Sequence, residues 1–238
     1  MTTTAREITV LSTTALQTTL EALAPEFERA TGYQLTFHFG PSGRMANRAG
    51  EGEATDIAIV TGGGIDDLIT KGRIVAGSRT DIARSKIGVA VQKGAPRPDI
   101  SSVEAFKRTL LAAKTIGMSN PVGGGQSGAH LAKVFDRLGI SEAMRAKSTY
   151  GPGGPAGLIG KYLLRKEVEL GLQQMPELMA VDAIDIIGPI PDEVQLDTVF
   201  SAGLSSAATN AEGARRWVDH LRSAAAVAVI EAKGMQPG

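Results

Sequence analysis

The sequence predicts an α/β fold of two Rossmann-like lobes around a hinge cleft, and three observations carry that expectation. Short β-branched runs alternate with segments of helical periodicity, as βαβ units and a largely parallel sheet require. The pattern changes around Asp81–Val91, where Ile87, Val89 and Val91 alternate with Gly88 and Ala90 before a turn at Lys93–Pro98. A further β-rich run, Thr198–Ser206, then precedes the last helical segment, as though the chain returns to the lobe it left.

In order, Ile8–Leu11 reads as the first strand, and Leu16, Leu20, Leu23 and Phe27 follow at helical spacing up to a stop at Gly32. Gln34–Phe39 is a second strand with a short helix from Gly43; Asp56–Val60 is a third, followed by a helix over Ile65–Thr70. Beyond the crossing, helices are expected at Val103–Ala113, at Ser127–Leu138 and from near Pro155. Strands are expected at Thr115–Met118, Val168–Leu172 and Ile184–Ile187, and the last helices within Ala211–Lys233. The lobes so defined are 1–83 plus 203–238, and 84–202.

Composition narrows the function. Twenty-five Lys and Arg balance 25 Asp and Glu, so no global field gathers nucleic acid, and charge recognition must be local. Cysteine is absent, which excludes disulfides, thiolate catalysis and Cys-ligated zinc. His38, His130 and His220 have no partner at metal-site spacing, so neither metal nor cofactor is expected. No apolar run reaches the roughly 20 residues of a membrane span, and Met1–Arg6 leads into the first strand without the features of a secretory signal. A periplasmic location would therefore require that a signal had been removed; otherwise a cytoplasmic one is expected.

Three strand-to-helix junctions carry hydroxyl residues: Ser12-Thr13-Thr14, Ser42-Gly43 and Gln126-Ser127-Gly128. Each could cap its helix, and Thr14 with Gln17 fits a capping box. A helix start also offers unpaired N–H donors and a partial positive charge, hence an anion site, and open α/β sheets bind ligands beyond the carboxyl ends of their strands. Ordinary capping explains one such junction; three alike favour an anion.

The runs Ile8–Leu16, Phe27–Gly32, Gly40-Pro41-Ser42-Gly43 and Thr55–Ile59 resemble the molybdate-type solute-binding proteins of ABC transporters, as do Ser119-Asn120-Pro121, Glu169-Leu170-Gly171 and the helix around Trp217. The resemblance implies a type II periplasmic-binding-protein fold, an anion held by hydroxyls and backbone N–H groups of both lobes, and a transporter permease as partner. By position it implies ligand contacts at Ser12, Thr13, Thr14, Ser42, Gly128, Ala156 and Gln174. Ala15 stands where a serine is usual and Gln174 where a tyrosine is usual, which points away from molybdate. Arg44 and Arg84-Ser85 add guanidinium groups suited to two-pronged contact with carboxylate, so the expected ligand is an organic di- or tricarboxylate or an oxyanion, the carboxylate being favoured if both arginines face the cleft.

Gly123, Gly125 and Gly128 match the G-x-G-x-x-G spacing, but Asn120-Pro121 interrupts the approach and no Lys-Ser/Thr follows, so a nucleotide site is not expected. Three functions remain: a receptor for a transporter; an isomerase of an unsaturated polycarboxylate, since aconitate isomerase is related to the resembled family, with His130 in reach as a base; and a sensor domain that acts on another protein.

Overall fold

The computed structural model describes residues 6–238. In chain order the elements are β1 (Glu7–Thr13), a 3-10 turn (Thr14–Leu16), α1 (Gln17–Thr31), β2 (Gln34–Gly40), α2 (Ser42–Gly50), β3 (Ile57–Thr61), α3 (Gly62–Thr70), β4 (Thr80–Ser85), β5 (Ile87–Gln92), α4 (Val103–Ala112), β6 (Ile116–Ser119) and α5 (Gln126–Arg137). There follow α6 (Ser141–Lys147), β7 (Ser148–Gly151), a 3-10 turn (Pro155–Gly157), α7 (Ile159–Leu164), β8 (Leu170–Gln174), α8 (Met175–Met179), β9 (Ile184–Pro189), a 3-10 turn (Asp192–Val194), β10 (Thr198–Leu204), α9 (Ala211–His220), α10 (Ala224–Ala232) and β11 (Gln236–Pro237). The chain divides into two compact units: one runs to Arg84 and resumes at Val199, and the other holds Ser85–Thr198.

The first unit is built on a six-stranded sheet of order β11-β4-β10-β3-β1-β2, with β1 parallel to both β2 and β3 and β10 antiparallel to β3. Its inner strands are buried on both faces, which is why Ile57–Val60 reads as an unbroken apolar run. Helix α1 buries Leu20, Leu23, Ala24 and Phe27, one stripe at helical spacing, and ends at Gly32, whose φ of 74° is the left-handed region a C-cap glycine reaches without strain. Phe27 meets Trp217 edge-on at 5.0 Å between ring centres, locking α1 to α9. Burial of side chains this large contributes roughly 1.5–3 kcal/mol each.

Buried Asp56 fixes the register at the foot of this sheet. Its carboxylate accepts from the Thr9 N–H at 2.9 Å, the Thr209 hydroxyl at 3.2 Å and the Asn210 N–H at 2.9 Å, joining β1, β3 and the start of α9. This satisfies a buried charge by hydrogen bonds, and it places Asp56 in the scaffold.

The second unit has a five-stranded sheet of order β7-β6-β8-β5-β9, in which β6 runs parallel to β7 and β8 while β5 runs antiparallel to β8 and β9. Phe106, Leu131, Phe135 and Met144 of α4, α5 and α6 pack on it with Val89, Met118 and Leu172. Gln195 secures the incoming strand: its side-chain oxygen accepts from the Ile87 N–H at 2.9 Å, and its nitrogen donates to the Ile87 and Ile190 carbonyls at 3.0 and 3.1 Å. Among the described residues no helix is long and apolar enough to cross a membrane.

Candidate functional site

In the first unit the candidate donors gather at the carboxyl ends of adjacent strands. Thr13, the last residue of β1, pairs in register with Gly40, the last of β2, and Ser12 pairs with Ile59 of β3. The segment Ser12–Thr14 and the start of α2 thus lie side by side. Ser42 joins the third strand as well, because its hydroxyl accepts from the Thr61 N–H at 2.9 Å. With its acceptor role filled by the backbone, the Ser42 hydroxyl keeps its own proton to donate.

The expected helix caps are not formed, and this corrects the sequence reading. Thr13 occupies the N-cap position of the first 3-10 turn and its side chain accepts nothing; Thr14 lies inside that turn; and Gln17 donates instead to Glu21 at 2.9 Å, so there is no capping box. Pro41, which has no capping side chain, is the N-cap of α2, and Gly125 is the N-cap of α5. Ser42 and Ser127 stand one and two positions inside their helices, where a hydroxyl cannot reach its own first turn. Among the described residues, the N–H groups of Ser42, Gly43 and Arg44, and those of Gln126, Ser127 and Gly128, have no acceptor. The Thr14 hydroxyl is also unpartnered, although only 6% of Thr14 is exposed. Buried polar groups are normally satisfied, so this end of the unit is short of acceptors.

Arg44 projects from the first turn of α2, exposed and without an ion pair among the described residues, whereas Arg48 one turn later is paired with Glu53. Arg84 is exposed at the end of β4, two strands from β3 in the sheet order, and likewise unpaired. Ser85 is buried, and its hydroxyl donates to the Lys86 carbonyl at 3.3 Å.

In the second unit, α5 starts hard against the end of β6. A Cβ at Gly128 would overlap the Ser119 carbonyl oxygen, so only glycine permits this approach. The buried Ser127 hydroxyl donates to the Ser119 hydroxyl at 3.3 Å, and Gln126 beside it is half-buried. The helix expected to begin near Pro155 is a 3-10 turn, and α7 begins at Ile159. Gly153 and Gly154, at φ of 83° and 68°, divert the chain there. Ala156 is exposed on that turn. Gln174 ends β8 with 3% exposure; its side-chain nitrogen donates to the Thr198 hydroxyl at 2.9 Å and its side-chain oxygen has no partner.

Reasoning from sequence missed Ser119, Gln173 and Glu177. Gln173 is buried, and it bonds both sides of the 155–159 segment: its oxygen accepts from the Ile159 N–H at 2.8 Å and its nitrogen donates to the Gly157 carbonyl at 3.2 Å. Burial pushes the Glu177 carboxyl up to about 7, against a smaller opposing effect of the Gln174 N–H that it accepts. The signal in the sequence is the pair Gln173-Gln174 closing an otherwise apolar strand. His130 is tied by Nε2 to the Val194 carbonyl at 2.8 Å, a link between α5 and the 192–194 turn.

These donor-rich, uncapped helix starts can now be set beside known proteins. The family described as "Bacterial extracellular solute-binding protein" matches residues 8–236. The chain belongs to that family. A curated relative named "Aconitate isomerase", from Pseudomonas sp, is 36% identical over 236 residues, covering 97% of this chain and 87% of the relative. The "Molybdate-binding protein ModA" of Azotobacter vinelandii is 24% identical over 237 residues, 97% of this chain and 90% of that protein. The solved periplasmic molybdate-binding protein of the same organism superposes with a TM-score of 0.78 at 20% identity, over 96% of this chain and 98% of that one. The fold is therefore the two-lobed α/β fold of type II periplasmic binding proteins.

Proposed function

We propose that this chain binds a small organic polycarboxylate at its uncapped helix starts, with a transporter permease as its partner. The observation that carries this reading is the unpartnered, buried Thr14 hydroxyl beside helix starts whose N–H groups no side chain caps. An anion supplies the missing acceptors and meets the partial positive charge of each helix start. In the first unit the donors are Thr14, the Ser42 hydroxyl and the N–H groups of residues 42–44; in the second they are the N–H groups of Gln126, Ser127 and Gly128, and the side-chain nitrogen of Gln174. Ser12, Thr13, Ser85 and Ala156 shape the backbone around them.

The unpaired Arg44 and Arg84 favour carboxylates over a compact oxyanion, because a planar guanidinium matches a carboxylate with two parallel N–H donors. Calorimetric titration with trans-aconitate, citrate, molybdate and sulfate tests this. Tightest binding to a tricarboxylate is expected. Tightest binding to molybdate or sulfate overturns the carboxylate assignment, and binding of none of the four overturns the anion site.

A second reading, isomerisation of aconitate, is favoured by the relative of that name and by Glu177, a carboxyl poised near neutrality at the start of α8. An allylic shift needs one group that removes a proton from carbon and returns it two carbons away, most effective when its pKa lies near the working pH. Incubation with cis-aconitate, followed by NMR, is expected to yield the trans isomer; unchanged substrate at high protein concentration removes this reading.

A further inference from the structure

Gln173 is a buried amide of the second unit with both its oxygen and its nitrogen engaged, and its contacts fall on segments that bear or adjoin candidate ligand residues. It is 2% exposed, on β8. Its oxygen takes the Ile159 N–H at 2.8 Å, and its nitrogen gives to the Gly157 carbonyl at 3.2 Å and lies 3.5 Å from the Ser119 hydroxyl. That hydroxyl in turn accepts from Ser127 at 3.3 Å. One amide therefore connects the 155–159 segment to the end of β6, and through Ser119 to the start of α5.

We infer that Gln173 is a positioning residue: it sets the 126–128 and 155–159 segments of the second unit in the arrangement that receives the anion. The inference rests on the proposed anion site. Without Gln173, the Ile159 N–H and the Gly157 carbonyl are buried with no partner, and such groups recover partners by moving. Gln173 ties the 155–159 segment to β8 by side-chain bonds at Gly157 and Ile159, and Gly153 and Gly154 leave the backbone before it free to turn. A displacement of about 1 Å there, passed through Ser119 to the start of α5, turns the donors of residues 126–128 away from a ligand that relies on several at once.

The test separates position from stability. Gln173→Leu is compared with wild type and with Asn210→Ala, which loses the α9 cap in the first unit but no donor segment. Each folded protein is titrated with trans-aconitate, citrate and molybdate, and its melting temperature is measured without ligand. Both variants are expected to melt earlier. Affinity for the anion that wild type binds best is expected to fall at least tenfold in Gln173→Leu and to stay within twofold in Asn210→Ala.

Gln173→Glu keeps the acceptor for Ile159 and loses the donor to Gly157, so its affinity relative to wild type is expected to recover as pH falls and the new carboxyl regains a proton. A folded Gln173→Leu with affinity within twofold of wild type overturns the inference. So does failure of both Gln173 variants to fold, which assigns the residue to folding alone. Wild type that binds none of the three anions overturns the anion site itself, a separate and recognisable result.

Discussion

The helices of nine or more residues fall into two groups by how they begin. Helices α3, α4, α9 and α10 are closed by their own N-cap side chains: Thr61, Ser102, Asn210 and Ser223 each accept an N–H from the first turn at 3.1–3.3 Å. Helix α1 with its leading turn, α2 and α5 have no such side chain. A missing cap costs a helix about 1 kcal/mol. Each of the three carries candidate ligand residues at or just before its start. The capped group seals its first turns with Ser, Thr or Asn; the open group lacks such caps, as the proposed anion site requires.

Helix α8 is an intermediate case and gives the largest expected effect. Its Glu177 accepts the Gln174 N–H, so the start is closed by a carboxyl from within the helix, in surroundings that push that carboxyl up to about 7. The folded protein then holds a proton between about pH 4.5 and 7 that the unfolded chain has released. Stability is expected to fall as pH rises through that window, by up to about 3 kcal/mol, and to level off above it. Glu177→Gln keeps the acceptor and removes the titration. Melting curves from pH 4.5 to 8 should slope downward for wild type relative to the variant; parallel curves would show that Glu177 is ordinarily solvated.

Second in size is the effect of closing an open helix. In Pro41→Asp a carboxylate occupies the N-cap of α2, within reach of the N–H groups of Gly43 and Arg44. Affinity for trans-aconitate is expected to drop about a hundredfold, roughly 2.7 kcal/mol, as the built-in anion competes for the same donors. Unchanged affinity would mean that the open starts of the first unit do not face the ligand. Ser42→Ala sharpens the same point: it strands the Thr61 N–H and removes one donor, with an expected cost of about 1–2 kcal/mol in stability and about tenfold in affinity, readable by denaturant titration and calorimetry.

The two groups also mark how far the sequence was legible. Alternating strands and helices were readable because strands buried on both faces become apolar runs such as Ile57–Val60 and helices show spaced stripes such as Leu20, Leu23 and Phe27. Hydroxyls near the starts of α2 and α5 were readable too. Their use was not, because a cap and an open start differ by one or two positions, and sequence patterns do not fix a boundary that closely. Pro41 and Gly125, which take the N-cap places, look like ordinary turn residues. Gln173 was hidden for a different reason: its partners lie 14 and 16 residues before it and 54 residues before it, and no local pattern announces such a bond.

The smallest expected effect comes from the closed group and completes the contrast. Ser102→Ala opens α4, whose Ala105 N–H then loses its partner at 3.2 Å. A lost cap of this kind costs about 1 kcal/mol, so the melting temperature should fall by a few degrees. Affinity for any anion should stay at the wild-type value, because α4 contributes no candidate donor. If opening α4 created or altered anion binding, an uncapped helix start alone would suffice to attract the ligand. If it changes stability alone, the specificity of α1, α2 and α5 lies in what surrounds them: the Thr14 hydroxyl without a partner, Ser42 held against Thr61, and Ser127 held against Ser119.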